Sequence, residues 1–373
     1  MRKKYLIVII VLSFLLTACS TSVRVGYNRP SEIDMGRYRN IAVASTVPFR
    51  GFQSPGFYVR SVDDVAASHT HVRSSYDRSL ADEVASYATG SLLGSLSSTG
   101  FFSITPPEKA DRMISKNRLG YSIQDDVEYY NIDAFVIPRI VSMDVNEYLS
   151  SERYYYYDYS RVDKNGKPLR LVDYRYYLTQ SASIVYSYTV IDARTMTIYV
   201  TKNFSDKIEE TTEVGRYGFN APDPAVYFEK MIDNITRITA FQLAPSRAAA
   251  EIELMDNKPD NKSADAAYDY VKDGNIAAAE QIFRDVWRQS SHLPSGYNYA
   301  LLLAVEGKID SAIAVLEEIQ SVYAGNGDVA RLLSDLEEIR RNNAEAQAQI
   351  DGTAPYENYT DSSSSIFALV MGD

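Results

Sequence analysis

Few residues in this chain have the types and spacing that chemistry requires. There are three histidines, His69, His71 and His292. His69 and His71 alternate as two metal ligands on a strand would, with Asp63 and Asp64 upstream. A zinc site needs three or four donors in closed geometry, and no clear third ligand stands in reach, so solvated loop histidines are expected. The acidic pairs Asp125-Asp126 and Glu209-Glu210 raise glycoside hydrolysis. That reaction needs two carboxylates set across a sugar cleft, whereas neighbouring residues point apart, so these read as surface charge. No G-x-x-x-x-G-K loop, G-x-S-x-G elbow or H-E-x-x-H pair occurs. Cys19 is the sole cysteine, so no intramolecular disulfide forms and thiol chemistry has almost no material. The expectation is a non-enzyme with no metal and no cofactor.

What the chain holds in quantity is tyrosine, 30 against one tryptophan and 13 phenylalanines. An apolar ring with a polar tip suits interfaces and half-exposed strands. Tyr154, Tyr155, Tyr156, Tyr157 and Tyr159 lead into Lys164-Asn165-Gly166-Lys167, and Tyr174, Tyr176 and Tyr177 come after it. Asn-Gly signals a hairpin turn. The reading is a protruding two-stranded arm with tyrosines on both faces, a surface for partners or self-assembly. An ordinary hairpin covering a sheet is the alternative. A membrane-inserting hairpin needs an uninterrupted lipid-facing band, and Arg153, Arg161, Arg170, Asp173 and Arg175 break it.

Delivery is written at the start. Arg2, Lys3 and Lys4 precede an apolar run from Tyr5 to Leu16, broken only by Ser13, and then small residues Thr17 and Ala18. This is the pattern of a secretory signal. The run is shorter than the roughly 20 residues a spanning helix needs, and an uncut signal-anchor helix is the alternative. Leu16-Thr17-Ala18-Cys19 resembles the bacterial lipobox. The resemblance implies acylation of Cys19, with several acyl chains giving stable attachment to membrane. Ser20, a non-aspartate after the cysteine, resembles outer-membrane cargo, so a cell-envelope site is expected. The formal charge of −11 becomes more negative once the basic leader is removed. An acidic chain repels phosphate backbones and anionic lipid alike, so nucleic acid is excluded as a partner and the lipid is the membrane attachment.

The elements that position these residues are set by periodicity. Ser22 to Tyr27 alternates as a short strand, and Asn40 to Ser45 reads as a buried one. Pro48 to Ser74 reads as loop. A helix capped by Ser75 or Asp77 runs to about Ser98, with Leu80, Val84, Ala88, Leu92 and Leu96 as its stripe and Gly100 beyond its end. Phe101–Thr105 is a strand ended by Pro106-Pro107. Two short helices come next, about 108–118 and 122–130. Asp133–Met143 is a strand in which Pro138 removes a ladder donor, which points to an edge or a bulge. Ala182–Asp192 and Met196–Phe204 form a hairpin. Asp223 and Pro224 open a helix with Val226, Tyr227, Met231, Ile235, Ile238 and Phe241 on one face. This order gives a mixed sheet covered by helices.

On Ile41-Ala42-Val43-Ala44, Ser98-Thr99-Gly100-Phe101-Phe102, Asp133-Ala134-Phe135-Val136-Ile137 and Asp192-Ala193-Arg194-Thr195, the chain resembles the small α/β domain of the curli-secretion-channel and penicillin-binding-protein-activator lipoproteins and of the TolB amino-terminal domain. Pro138 stands near that group's usual glycine, and Met196 replaces its turn glycine. The resemblance spans roughly residues 38–245 and bears on fold more than on function.

Further on, Ala267, Tyr270, Gly274, Ile276, Ala279 and Phe283 recur as Ala300, Leu303, Gly307, Ile309, Ala312 and Leu316. A period near 34 with this Ala/Gly/Ala spacing resembles a tetratricopeptide repeat; an unrelated helical hairpin bundle is the alternative. Small residues allow helices to touch, and glycine supplies the turn. Asp328–Ala344, with Val329, Leu332, Leu333, Leu336 and Ile339 on one face, reads as a capping helix. Two repeats are too few to stand alone, so they are expected to lean on the α/β domain through Ala248–Leu254.

The fold class expected is α+β, a mixed-sheet α/β sandwich followed by an all-α tetratricopeptide-like repeat domain. The divisions are a signal peptide at 1–18, a tether with a short strand at 19–37, the sandwich at 38–246 with a tyrosine-rich hairpin insertion at 148–180, a linker at 247–262, repeats at 263–347, and a disordered tail at 348–373. The tail ends in an apolar run, Ile366 to Met371, read as a chance cluster or a docking strand. The function expected is that of a membrane-anchored, non-catalytic scaffold for protein partners in envelope assembly or regulation. An oligomeric secretion-channel subunit is the alternative, and a carbohydrate-binding protein is a third reading.

Overall fold

The computed structural model describes residues 21–51, 72–74, 78–215 and 223–354. The lipobox Leu16, Thr17, Ala18 and Cys19, the His69/His71 pair, Asp63, Asp64, the Ser75 and Asp77 caps and the terminal apolar run lie outside the described residues. No described helix is long and apolar enough to cross a membrane.

The chain forms two compact units. One, from Glu32 to Ala244, is built on a six-stranded mixed sheet. Its strands are β2 (Asn40–Val43), β3 (Val72–Ser74), β4 (Ser103–Thr105), β5 (Ala134–Val162), β6 (Pro168–Asp192) and β7 (Ile198–Val214). The order is β4-β2-β5-β6-β7, with β3 beside β5 beyond the end of β2. The first three are parallel and the last three antiparallel. Alternation along each strand serves two layers of helix. Ile41, Val43, Ala134 and Val136 pack with Leu92 and Leu96 of α1 (Arg78–Ser98) and Ala240 and Leu243 of α4 (Ala225–Leu243). Ala42, Ala44, Phe135 and Ile137 pack oppositely, with Ala110 and Met113 of α2 (Pro107–Arg118) and Val127 of α3 (Gln124–Tyr129).

The whole predicted stripe of α1 is buried. That of α4 is rotated from expectation: Val226 is exposed, while Phe228, Ile232, Thr236 and Thr239 are buried. Two neighbours set that face, the sheet and α1, whose Ser91 hydroxyl meets Thr236 at 2.8 Å and donates to Asp233 at 2.8 Å. Val72–Ser74, read as loop, is a strand paired with β5. Pro138 lies where β2 and β5 part. β2 ends at Val43, and pairing resumes at Val47, which donates to the Pro138 carbonyl at 3.0 Å and accepts from Ile140 at 2.9 Å.

The other unit joins residues 21–31 to Pro245–Ala354. Its helices are α5 (Asp265–Lys272), α6 (Ile276–Ser290), α7 (Leu293–Val305), α8 (Ile309–Val322) and α9 (Gly327–Asp351). β1 (Ser22–Arg29) pairs antiparallel with β8 (Ser246–Glu253) through all eight residues. Val23, Val25 and Leu254 enter the same core as Phe283, Leu302 and Leu336.

Several expected boundaries therefore shift. The short strand expected within 19–37 is present as β1 and belongs to the helical unit. Residues 247–253, placed in the linker, and Ser246, placed in the sandwich, form its partner strand, and 248–253 pairs with β1 of the same unit. The last helix runs to Asp351 and stops at left-handed Gly352, so 348–351 is helix and not tail. The hairpin at 148–180 is no insertion. It continues strands that begin in the sandwich core.

Candidate functional site

β5 and β6 are 29 and 25 residues long, against four for β2. Their pairing runs without a register shift from Ser142↔Val185 to Asp158↔Leu169. β7 stays beside β6 only to Val214↔Tyr176. The root of the arm is thus three-stranded, and only the part beyond Tyr176 is the two-stranded ribbon expected. The hairpin turn falls at Asn165-Gly166, as expected. Asn165 stays out of the left-handed region, and Gly166 alone enters it, at φ +78°. Gly166 N–H donates to the Asp163 carbonyl at 3.0 Å, and the Asp163 carboxylate accepts from Asn165 and Lys167 N–H at 2.8 and 2.9 Å. Asp163, rather than Asn-Gly alone, braces the tip.

A bulge decides which tyrosines share a face. The register shifts between Ile140 and Ser142, leaving Val141 as the extra residue, 44% exposed. Ile140, Met143 and Val145 consequently all point to the α1/α4 side. Odd residues of β5 and even residues of β6 carry that face outward. Its cross-strand pairs are Ser151↔Tyr176, Arg153↔Tyr174, Tyr155↔Val172 and Tyr157↔Arg170. Tyr155, Tyr157 and Tyr174 are 44%, 55% and 47% exposed. The Arg170 guanidinium lies 3.7 Å from the Tyr155 ring centroid, and that of Arg153 lies 5.3 Å from it. Over these four pairs the face holds four tyrosines, two arginines and no carboxylate; Glu147, two pairs further in on the same side, is buried.

The opposite face carries Tyr154, Tyr156 and Tyr177 with Glu152, Asp173, Asp158 and Arg175, three acids against one arginine. Tyr154 and Tyr177 hydroxyls donate to Asp173 and Glu152 at 3.3 and 3.2 Å. Arg175 lies 4.9 Å from the Tyr154 centroid. The Asp158 carboxyl is held down to about 2 by the Ser160 hydroxyl first, then by Arg161 and the Ser160 N–H. Tyr159, near the tip, is 80% exposed. The eight tyrosines singled out in sequence thus divide between two chemically distinct faces and the tip.

In the helical unit, Ala267, Ala279, Ala300, Ala312, Phe283 and Leu316 are fully buried. Gly274 and Gly307 turn the chain at φ +76° and +81°. Tyr270 is 40% exposed instead of facing the core; Tyr268 takes that role, edge-on to Phe283 at 5.0 Å. Sequence reasoning missed a set of amides, Asn298 and Gln349 fully or nearly buried and Asn343 half-buried, that hold backbone of the same unit. Asn298, on α7, accepts from Met255 N–H at 2.8 Å and donates to the Met255 carbonyl at 2.9 Å. Gln349, on α9, accepts from Ser31 N–H and donates to its carbonyl at 2.8 and 3.1 Å. Asn343 accepts from Asn28 N–H at 2.7 Å. The helix faces bearing these amides are occupied by the unit's own chain. A lone buried amide at a helical position is the one signal that could have found them.

The remaining candidates do not converge. Asp126 pairs with Lys116 at 2.7 Å, and Glu209 with Lys207 at 2.9 Å. His292 bridges the Ser295 hydroxyl and the Pro259 carbonyl, each at 2.8 Å, at the start of α7. Among the described residues no group of acids and histidines could hold a metal.

No family model matches the chain, and no curated protein does. Among solved structures the chain is similar to PelC. The PelC dodecamer from Paraburkholderia phytofirmans aligns at 10% identity over 60% of this chain and 99% of that one, with a TM-score of 0.23. A single-residue variant of that dodecamer in a second crystal form gives 10%, 59%, 99% and 0.24. A likeness this distant carries no functional weight.

Proposed function

We propose that this chain is a lipid-anchored, non-catalytic docking protein of the bacterial cell envelope, held by acyl chains on Cys19 and presenting the β5–β6 ribbon to protein partners. The observation that carries the reading is the ribbon's exposed aromatic face. Tyr155, Tyr157 and Tyr174 stand on strands fixed at their other ends in the sandwich core. Rigid aromatics flanked by arginine are the composition of binding hot spots. The helical unit, read as two tetratricopeptide-like repeats, would support the anchor end of the chain, because strand β1 follows Cys19 by only three residues. The outer membrane is the proposed site.

Two measurements test this. Cys19→Ser should abolish metabolic labelling by palmitate and release the protein from envelope membranes; unchanged retention without lipid in either form removes the anchor. A photo-cross-linking residue at Tyr157 should trap envelope proteins in cells, and one at exposed Tyr129 should not. Equal or absent cross-linking removes the docking role.

A second reading is favoured by one feature. Among the described residues, β7 pairs only with β6 along its 17 residues. Such an edge accepts a strand from another copy, as a secretion-channel subunit would require. Light scattering on the purified chain separates the two: a large ring favours the channel and a monomer the docking protein.

A further inference from the structure

We infer that the ribbon face bearing Arg153, Tyr155, Tyr157, Arg170, Tyr174 and Tyr176 is a recognition surface for an acidic polypeptide segment. This rests on the docking role proposed above and names the partner's chemistry.

Charge sets this face apart. The chain is acidic, at −11, yet over its four pairs this face has arginines and no acid. Neither Arg153 nor Arg170 has an ion pair among the described residues; each lies over the Tyr155 ring. Lys164 and Lys167, at the tip, likewise have none. Every carboxylate of the ribbon is already engaged elsewhere. Glu152 and Asp173 accept from tyrosines of the other face, Asp158 from Ser160 and Arg161, and Asp163 from the turn. A guanidinium over an aromatic ring spends no N–H donor on that contact, and its fork of donors matches a carboxylate with two parallel hydrogen bonds.

Shape favours an extended polypeptide. Four cross-strand pairs at two-residue intervals make a face about 20 Å long, bearing tyrosine at every pair. A bilayer would be met by one continuous apolar band with cations at its margins; here Arg153 breaks the row from within, at the second of the four pairs, and Arg170 stands at its outer end.

The test uses the purified full-length protein and three probes: fluorescein-labelled poly-L-glutamate, poly-L-lysine, and vesicles of phosphatidylglycerol with phosphatidylethanolamine. Poly-L-glutamate should bind, more weakly as salt rises. Arg153→Glu with Arg170→Glu should raise its Kd by about tenfold or more, the effect of losing roughly 1.4 kcal/mol. Arg153→Lys with Arg170→Lys keeps charge and fold and should lose less. Tyr156→Ser, on the other face, should leave binding unchanged. The inference is overturned if poly-L-glutamate fails to bind, if poly-L-lysine binds equally, if charge reversal has no effect, or if only the vesicles bind. Cross-linking from Tyr157 that persists while poly-L-glutamate fails would retain the docking role and discard the acidic occupant.

Discussion

Replacing Asn298 with alanine tests whether buried amides, and not only apolar packing, hold the helical unit together. Asn298 is fully buried. Its amide makes three hydrogen bonds, two to Met255 backbone and one to the Tyr268 hydroxyl, at 2.8, 2.9 and 2.9 Å. Tyr268 donates in turn to the Met255 carbonyl at 2.7 Å, and burial pushes its phenol up to about 12, so it remains a donor at neutral pH. In Asn298→Ala the carbonyl therefore keeps one partner, while the Met255 N–H loses its own. A stranded donor costs about 1–3 kcal/mol and a lost neutral bond about 1, so the expected loss is about 2–3 kcal/mol. The assay is supplied by composition. The chain's one tryptophan, Trp287, is 4% exposed inside this unit, so its fluorescence follows this unit's unfolding. With a slope of about 2 kcal/mol per molar urea, the midpoint should fall by roughly 1–1.5 M. Tyr270→Ser, an exposed change nearby, should move it by less than about 0.3 M. If Asn298→Ala moved the midpoint no more than this control, the amide clamp would be incidental and apolar packing alone would hold the unit.

Three further outcomes are expected. Gly296→Ala would put a Cβ 2.7 Å from Trp287 Cε3 and 2.9 Å from Ile319 Cδ1. Overpacking should cost about 1–3 kcal/mol and shift tryptophan emission; an unchanged midpoint would show the contact relaxes freely. Val25→Ala, in the amino-terminal strand, should destabilise the tryptophan-reported unit by about 2 kcal/mol, and no effect there would detach β1 from that core. Burial pushes the Asp192 carboxyl up, but Thr195 through its N–H and hydroxyl, the Tyr38 hydroxyl and the Arg194 N–H together bring it below the ordinary carboxylate range. A lowered folded pKa stabilises above the unfolded value, about 3.9, and that stability is lost as pH falls through the folded one. Near-ultraviolet tyrosine dichroism should therefore show Asp192→Asn less stable than the parent at pH 6, with the gap closing in acid. A gap independent of pH would mean that charge at Asp192 is not what stabilises the turn.

Much of the fold was legible because it is written in local periodicity. The stripe of α1, the buried strands around Ile41 and Val136, the small residues of the helical hairpins and the glycine turns are all set by spacing along the chain. The rotation of α4 was not legible, because two packing partners rather than one set its face. The composition of the ribbon was visible too, since tyrosines flanking Asn165-Gly166 leave few other readings.

The sequence by itself determined that the chain has a sandwich of strands and helices, a run of helical hairpins and a tyrosine-rich hairpin. Only the tertiary structure decided what each is wired to. Which tyrosines stand with Arg153 and Arg170 depends on one extra residue at Val141, a matter of pairing between strands rather than of spacing within one. That strand β1 belongs to the helical unit depends on contacts such as Asn28 with Asn343, 315 residues apart. Periodicity records which side of an element avoids water; it carries no record of which distant backbone a buried amide will hold.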